Sequence, residues 1–505
     1  MISARARPPA IGTNCAVRSP SVTVTSPDEN TRCTSLRPRA PTRTFWPSPS
    51  KPEIDRTKGK SASEPTGSKS TSQRTGGKSA AGSSAQDAGT EKSAAPEEDN
   101  RDDAPDVQVL TGLYSMRTEV HREKWIGELG GTDKSETAVS GGLEWLARHQ
   151  AEDGHWGPDC LGSGPGSRCE PQSKCDGPGQ RYEMAQSGLA LLAFQAGGHY
   201  YFNKKQYSGH VRRGLDWLVE HQGDDGELVR PPVPAGRPPR KTARASQGFH
   251  QYYMYEHGMA TLALVESCAV ARAAQQDPDP RYLAAAQKAL YFIEQQQHND
   301  GGWRYTPNKS QPSDASVSGW QVLALKTAKE AKIGISPACL AQVEKFFKHC
   351  EIGRSGRTGY QGSHQMTEAT TGVGMLVHQF LLDQPDSPLV TQAAPYLAQY
   401  AEQMWGAERN RGYPATDYYL WYNCTLAMFR AGGEPWKRWN DVVRDTVLKL
   451  QVHEGCTRGS WPVQSDRWAG QGGRVYSTAL AVLTLEVYYR YRSDRAKVYE
   501  PPKSD

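Results

Sequence analysis

The sequence predicts an all-α fold in which six amphipathic helices alternate with six apolar, small-residue helices, the pattern of two concentric rings. Three observations predict it. One phrase recurs, as GLEWLARHQAEDGHW at 142–156, GLDWLVEHQGDDGEL at 214–228 and ALYFIEQQQHNDGGWR at 289–304. A second kind of helix follows each copy, apolar almost all round and rich in Ala, Ser and Gly, as in YEMAQSGLALLAFQA at 182–196. No stretch alternates apolar and polar residues as a half-buried strand would.

The phrase has a physical reading. Aligned on Gln150, Gln222 and Gln297, the copies lie 72 and 75 residues apart, so chance recurrence is excluded as an account. Leu143, Leu146 and their equivalents make one buried helical stripe. Asp153-Gly154, Asp225-Gly226 and Asp300-Gly301 follow, and the glycine accepts the left-handed backbone that stops a helix. The Gln amide can satisfy carbonyls at the helix end, and Trp156 or Trp303 can cover that end; Leu228 stands there in the middle copy.

The remaining elements follow in order. A weak helical pattern at 107–131 leads in, and Thr132 or Ser135 is placed to cap the first long helix. A degenerate fourth copy, VLKLQVHEGCTRGSW at 447–461, keeps Gln451, Gly459 and Trp461 with a longer turn. Weaker units occupy 343–360 and 395–413, the latter ending Arg411-Gly412-Tyr413, which makes six. The small-residue helices are 182–196, 254–271, 314–331, 364–382, 417–431 and 474–490. An open superhelix of helix pairs is the rival, but its usual repeats are about 34 to 47 residues.

Composition bounds the rest. Residues 1–106 are Ser, Thr, Pro, Ala, Lys and Arg with almost no apolar pattern, and such a segment cannot offset its chain entropy by burial; a disordered segment is expected there. The lead-in is expected at 107–131, the helical repeats at 132–492 and a tail at 493–505. The opening MISARARPPAIGTNC lacks the apolar core of a signal peptide, and no run of about 18 apolar residues exists to span a membrane. A cytoplasmic protein is expected, with peripheral membrane contact left open. The net charge of +5 is small for 505 residues. The basic run at 237–244, RPPRKTAR, reads as a solvated loop, and no nucleic-acid motif accompanies it.

Of ten cysteines, Cys268, Cys339, Cys350 and Cys424 fall in helical patterns as small buried apolar residues. Cys160, Cys169 and Cys175 share a Gly-rich loop with Asp159 and Asp176. Their spacings of nine and six fit poorly with zinc pairs. No metal and no cofactor are expected, and whether these three form a bridge or a metal site stays open.

The Gln…Asp-Gly-x-Trp units, followed by helix starts such as Ser316-Val-Ser318-Gly319-Trp320, resemble the QW repeats of squalene-hopene cyclases, over about residues 132–490. Protein prenyltransferase beta subunits share that toroid. The resemblance implies an (α/α)6 toroid with a central cavity whose mouth is lined by the starts of the inner helices. It also implies a polyisoprenoid, or another apolar small molecule, as ligand. The chemistry departs from the family. The cyclase D-x-D-D motif is absent, and Asp314-Ala315-Ser316-Val317 holds one of its acids. It is closer to the family's S-x-T-A-W helix start, through Ser316, Ser318 and Trp320. The prenyltransferase D-x-C zinc pair is absent too, since Cys424 stands seven residues after Asp417. A D-D-x-x-D at Asp102, Asp103 and Asp106 falls in the expected disordered segment.

The candidate catalytic residues are the polar ones at the inner-helix starts: Glu256, His257, Asp314, His364, Glu368 and Asp417. Acids there also suit helix caps and dipoles. Candidate cavity-lining residues are Tyr253, Tyr255, Trp320, Tyr419, Trp421, Arg474 and Tyr476, whose rings could hold a cation. Three function classes follow: a cyclase-type enzyme on a polyisoprenoid, a non-catalytic binding toroid, and a carbohydrate-active barrel. The last needs two carboxylates about 5 to 10 Å apart.

Overall fold

Four of the outer helices begin where the sequence supplies a side-chain cap. Thr132 and Ser135 form a reciprocal capping box on α2, Asp133–Arg148. Asp279, Ser336 and Ser387 cap α6 (Pro280–Gln295), α8 (Pro337–Cys350) and α10 (Pro388–Trp405), each with Pro at the first helical position. With α4 (Ser208–Glu220) and α12 (Gly433–Leu450) these make six outer helices, each half-exposed. The inner six are α3 (Glu183–Ala196), α5 (Tyr253–Ala273), α7 (Ala315–Glu330), α9 (Glu368–Leu376), α11 (Tyr418–Ala431) and α13 (Ala469–Leu485), buried nearly all round. A π turn, Val377–Leu381, extends α9. In α13 the backbone breaks at Gly473, which has φ +72°, so the inner stretch starts at Arg474.

This computed structural model describes residues 109–229, 251–406 and 416–499. Residues 1–106, the basic run at 237–244 and Arg411-Gly412-Tyr413 lie outside the described residues. Within them every regular element is a helix or helical turn.

The inner helices close a ring. Each packs on the next from α3 to α13, and α13 packs back on α3. Outside, α12 meets α2. The closed toroid therefore holds, and the open superhelix does not.

The recurrent phrase is the joint between neighbouring units. The Gln amide donates to a carbonyl in its own turn and to one in the next outer helix. Gln150 reaches Gly154 (2.8 Å) and His210 (2.9 Å), Gln222 reaches Gly226 (3.2 Å) and Ala285 (2.9 Å), and Gln297 reaches Gly301 (2.8 Å) and Cys339 (3.1 Å). Gln451 closes the circle on Gly459 (2.9 Å) and Ala138 (2.8 Å) of the first unit. The turn glycines sit flush against the same neighbours. A Cβ on Gly154, Gly226 or Gly301 would collide with the carbonyl of Arg213, Lys288 or Gln342. Glycine is thus required by contact as well as by φ. The indole Nε1–H groups of Trp156, Trp303 and Trp461 donate to Leu146, Ile293 and Val447 carbonyls of their own outer helices at 2.7–2.9 Å. Burying one such ring contributes about 4–6 kcal/mol at ~25 cal/mol/Å² over roughly 150–250 Å².

The segments flanking the ring seal one end of the hub. A 3-10 turn, Gly112–Arg117, and α1, Glu119–Trp125, precede the ring; α14, Val487–Arg490, follows it. Fully buried Arg117 donates to Glu266 Oε1 (2.8 Å), to the Gln195 carbonyl (3.0 Å) and to the Arg490 carbonyl (2.8 Å). Tyr491 donates to Glu266 Oε2 at 2.8 Å. Burial alone would push the Glu266 carboxyl up, but Arg117 and Arg490 hold it below its usual range.

Candidate functional site

The open end of the hub is where the inner helices start. Asp314 caps α7: its Oδ1 accepts from Val317 N (2.8 Å) and Ser316 Oγ (2.7 Å), and its Oδ2 accepts from Arg304 (3.0 Å). Burial raises its carboxyl pKa, with Arg304 opposing. Its partners reach further. Ser316 Oγ meets the Tyr255 hydroxyl at 2.6 Å, and Tyr419 donates to the Ser316 carbonyl at 3.1 Å. Arg304 donates to the Tyr360 hydroxyl at 2.9 Å, which meets Tyr305 at 2.6 Å. Tyr252 packs on Tyr182, Tyr255 and Tyr305 with ring centres 5.4–6.1 Å apart. The mouth is a collar of tyrosines, and burial pushes the phenols of Tyr255, Tyr419 and Tyr476 well up, so they stay protonated.

Asp417 caps α11 through Oδ1, which accepts the Leu420 N–H at 2.9 Å; that leaves Oδ2. A short parallel bridge between Thr416 and Asp466 sets the two aspartates side by side. Asp466 is spent on backbone donors, Tyr418 N (2.9 Å), Trp468 N (2.8 Å) and Ala469 N (2.6 Å). Burial first, then the Asp466 carboxylate, pushes Asp417 up to about 7. Tyr476 and Tyr419 each feel both Asp417 and another mouth carboxyl.

The bowl is shallow. One turn below Tyr255, Met259 is 6% exposed, and Trp320, at 1%, stacks face to face on Tyr422 at 5.3 Å across the hub. Four residues of helix are ~6 Å, so the hub is filled little more than one turn down.

The candidate residues separate by where they point. His257 uses both ring nitrogens in the scaffold: Nδ1 accepts the Leu228 N–H (3.0 Å) and Nε2 donates to the Ala289 carbonyl (3.1 Å). Ser187, Ser318 and Thr478 accept the equivalent N–H of Trp156, Trp303 and Trp461 in other units. Burial lowers His257 to about 3, so it stays neutral. Glu256 is fully buried beside it. Glu368 accepts the Tyr396 hydroxyl (2.7 Å) from outer helix α10. His364 is exposed, four residues before α9 begins. Of the lining set, Tyr255, Tyr419 and Tyr476 gather at the mouth, and Trp320 forms the floor. Tyr253 instead donates to Glu227 in the second turn, Trp421 packs on Trp405 of the outer ring, and Arg474 binds Asp176 and the Trp461 carbonyl. Sequence reasoning missed Asp466, Tyr182, Tyr252, Tyr305 and Tyr360; Tyr305 and Tyr360 follow unit turns directly, which was the available signal.

Residues 126–269 match the squalene-hopene cyclase C-terminal domain family. This stretch is similar to that domain. It covers less than a third of the chain. No curated protein matches the sequence significantly. Solved structures similar to the toroid include the α-1,6-mannanase GH76A of Salegentibacter sp. HEL1_6, at 10% identity over 70% of this chain and 99% of that one, TM-score 0.46. Another is the type II terpene cyclase MstE from Scytonema with geranylgeranyl dihydroxybenzoate as substrate, at 12% identity over 72% and 98%, TM-score 0.38. An α-amylase from Clostridium perfringens is a third, at 8% over 70% and 97%, TM-score 0.44. No function follows from scores this low. No helix among the described residues is long and apolar enough to cross a membrane.

Proposed function

We propose that the toroid is an acid catalyst whose bowl takes the reacting end of a polyisoprenoid, the remainder of the ligand staying outside. The observation that carries this reading is Asp417: a carboxyl held up to about 7 beside Asp466, among the Tyr419 and Tyr476 rings. Such an acid is too weak to protonate an isolated alkene. It is matched near neutral pH to an oxygen that becomes a leaving group. Protonating an epoxide oxygen and breaking its C–O bond leaves a tertiary carbocation, and tyrosine faces stabilise cations. Asp417 gives the proton, the oxygen becomes a hydroxyl, and a later loss of a proton from carbon restores the acid. Asp314 acts through Ser316 and Arg304, which position Tyr255, Tyr419 and Tyr360.

A second reading, glycan binding, is favoured by the shallowness of the bowl and its phenol hydroxyls. The test is direct. Native mass spectrometry and calorimetry would compare an epoxide-terminated polyisoprenoid with α-linked mannan oligosaccharides. Isoprenoid turnover that falls as pH rises through about 7, and is lost in Asp417→Asn with binding retained, supports the first reading. Saccharide binding alone transfers the assignment to the second. Binding of neither removes both and leaves a scaffold.

A further inference from the structure

We propose that the seam of the ring carries a structural zinc site formed by His149, Cys169, Cys175 and Cys456. These residues come from opposite ends of the ring's sequence. His149 stands just past α2, Cys169 and Cys175 lie in the loop between the first outer and inner helices, and Cys456 lies in the turn of the sixth unit. Their four donor atoms all lie within 4.8 Å of one another. His149 Nε2 is 3.3 Å from Cys456 Sγ and 3.4 Å from Cys175 Sγ. A tetrahedral zinc with Zn–S of ~2.3 Å and Zn–N of ~2.0–2.1 Å has donor–donor edges of about 3.5–3.8 Å. The two His149 edges are within a few tenths of an ångström of that shape, and the other edges lie within the 4.8 Å bound.

The surroundings fit a metal centre rather than a chance meeting of thiols. His149 Nδ1–H donates to the Trp145 carbonyl at 2.8 Å, which fixes the tautomer that leaves Nε2 as a lone-pair donor. The ring stacks on Trp145 at 4.5 Å, so its direction is set. Backbone N–H groups donate to two of the sulfurs, Glu170 N to Cys456 Sγ (3.3 Å) and Cys175 N to Cys169 Sγ (3.4 Å), as suits thiolates. All eight described cysteines are unbridged, and a disulfide between any two of these would strand the third beside a histidine. Four protein ligands leave no open position, which makes the site structural. It would clasp the first unit to the last, so that metal binding is coupled to closure of the ring.

The test needs no variant to begin. The full-length protein, purified without chelator, should hold one zinc per chain by elemental mass spectrometry. Exchange with cobalt should give the visible bands of a tetrahedral ion with thiolate charge transfer. Cys456→Ser should lose the zinc, while Cys160→Ser, outside the cluster, should keep it. Zinc removal should lower Tm. A metal-free protein that also fails to take up cobalt, or a disulfide found among the three cysteines under non-reducing mass analysis, overturns the proposal. So does a Cys456→Ser protein that folds and retains full zinc.

Discussion

Replacing Gln451 by alanine tests ring closure at a single side chain. The amide donates to Gly459 within its own turn and to Ala138 in the first outer helix, 313 positions away. Each lost hydrogen bond removes about 0.5–1.5 kcal/mol net, so the pair contributes about 1–3 kcal/mol. Gln222→Ala deletes the same pair of bonds inside the ring, to Gly226 and Ala285. The two variants should both fall in this range, since each loses one bond to its own turn and one to the neighbouring outer helix. Guanidinium unfolding followed by tryptophan fluorescence, with calorimetry alongside, would measure this. At about 2–4 °C per kcal/mol the expected fall in Tm is roughly 2–12 °C. If Gln451→Ala is silent while Gln222→Ala is not, the last joint differs from the others and the ring is not closed by its repeat. Gln451→Glu should be worse than alanine, because a carboxylate cannot donate and faces two carbonyl oxygens.

Two further outcomes follow from buried charge. Arg117→Ala leaves Glu266 desolvated with fewer donors at the sealed end of the hub, and should cost about 3–5 kcal/mol in equilibrium unfolding; pairing it with Glu266→Gln should recover part of that loss. His155 lies between Asp153 (2.6 Å) and Asp159 (3.0 Å). Burial opposes its charge, yet Asp159, Cys160 and Asp153 raise it to about 11. A folded pKa above the unfolded value of about 6.5 means its stabilisation is full below that pH and is lost as pH rises toward 11. Tm should fall across that window in the native protein and fall less in His155→Gln; equal slopes would remove His155 as the cause.

Much of the fold is legible in the sequence because the joint is local. Gln, Gly and Trp stand at fixed offsets, and the helix they end and the helix they meet repeat with them. The site was harder, and helix geometry says why. Residues two apart on a helix point roughly 200° apart, so Tyr253 with Tyr255, Tyr419 with Trp421, and Arg474 with Tyr476 cannot each send both members into one bowl. In every pair one faces the hub and the other the outer ring. His257 misleads for a related reason: where other units place Ser or Thr to receive a turn N–H, this unit places an imidazole. The seam cluster was invisible from loop spacing, since two of its donors, His149 and Cys456, stand outside the loop, one near each end of the ring's sequence.

The return of α13 onto α3 has a consequence for how such a chain can change length. A stack with two open ends tolerates the gain or loss of a unit, because only its terminus moves. Here the circumference is shared, so deleting one hairpin would force every remaining crossing angle to widen at once, and adding one would spread the collar of tyrosines. The loops that leave the ring can therefore change length without disturbing its closure, whereas a change in the number of hairpins cannot.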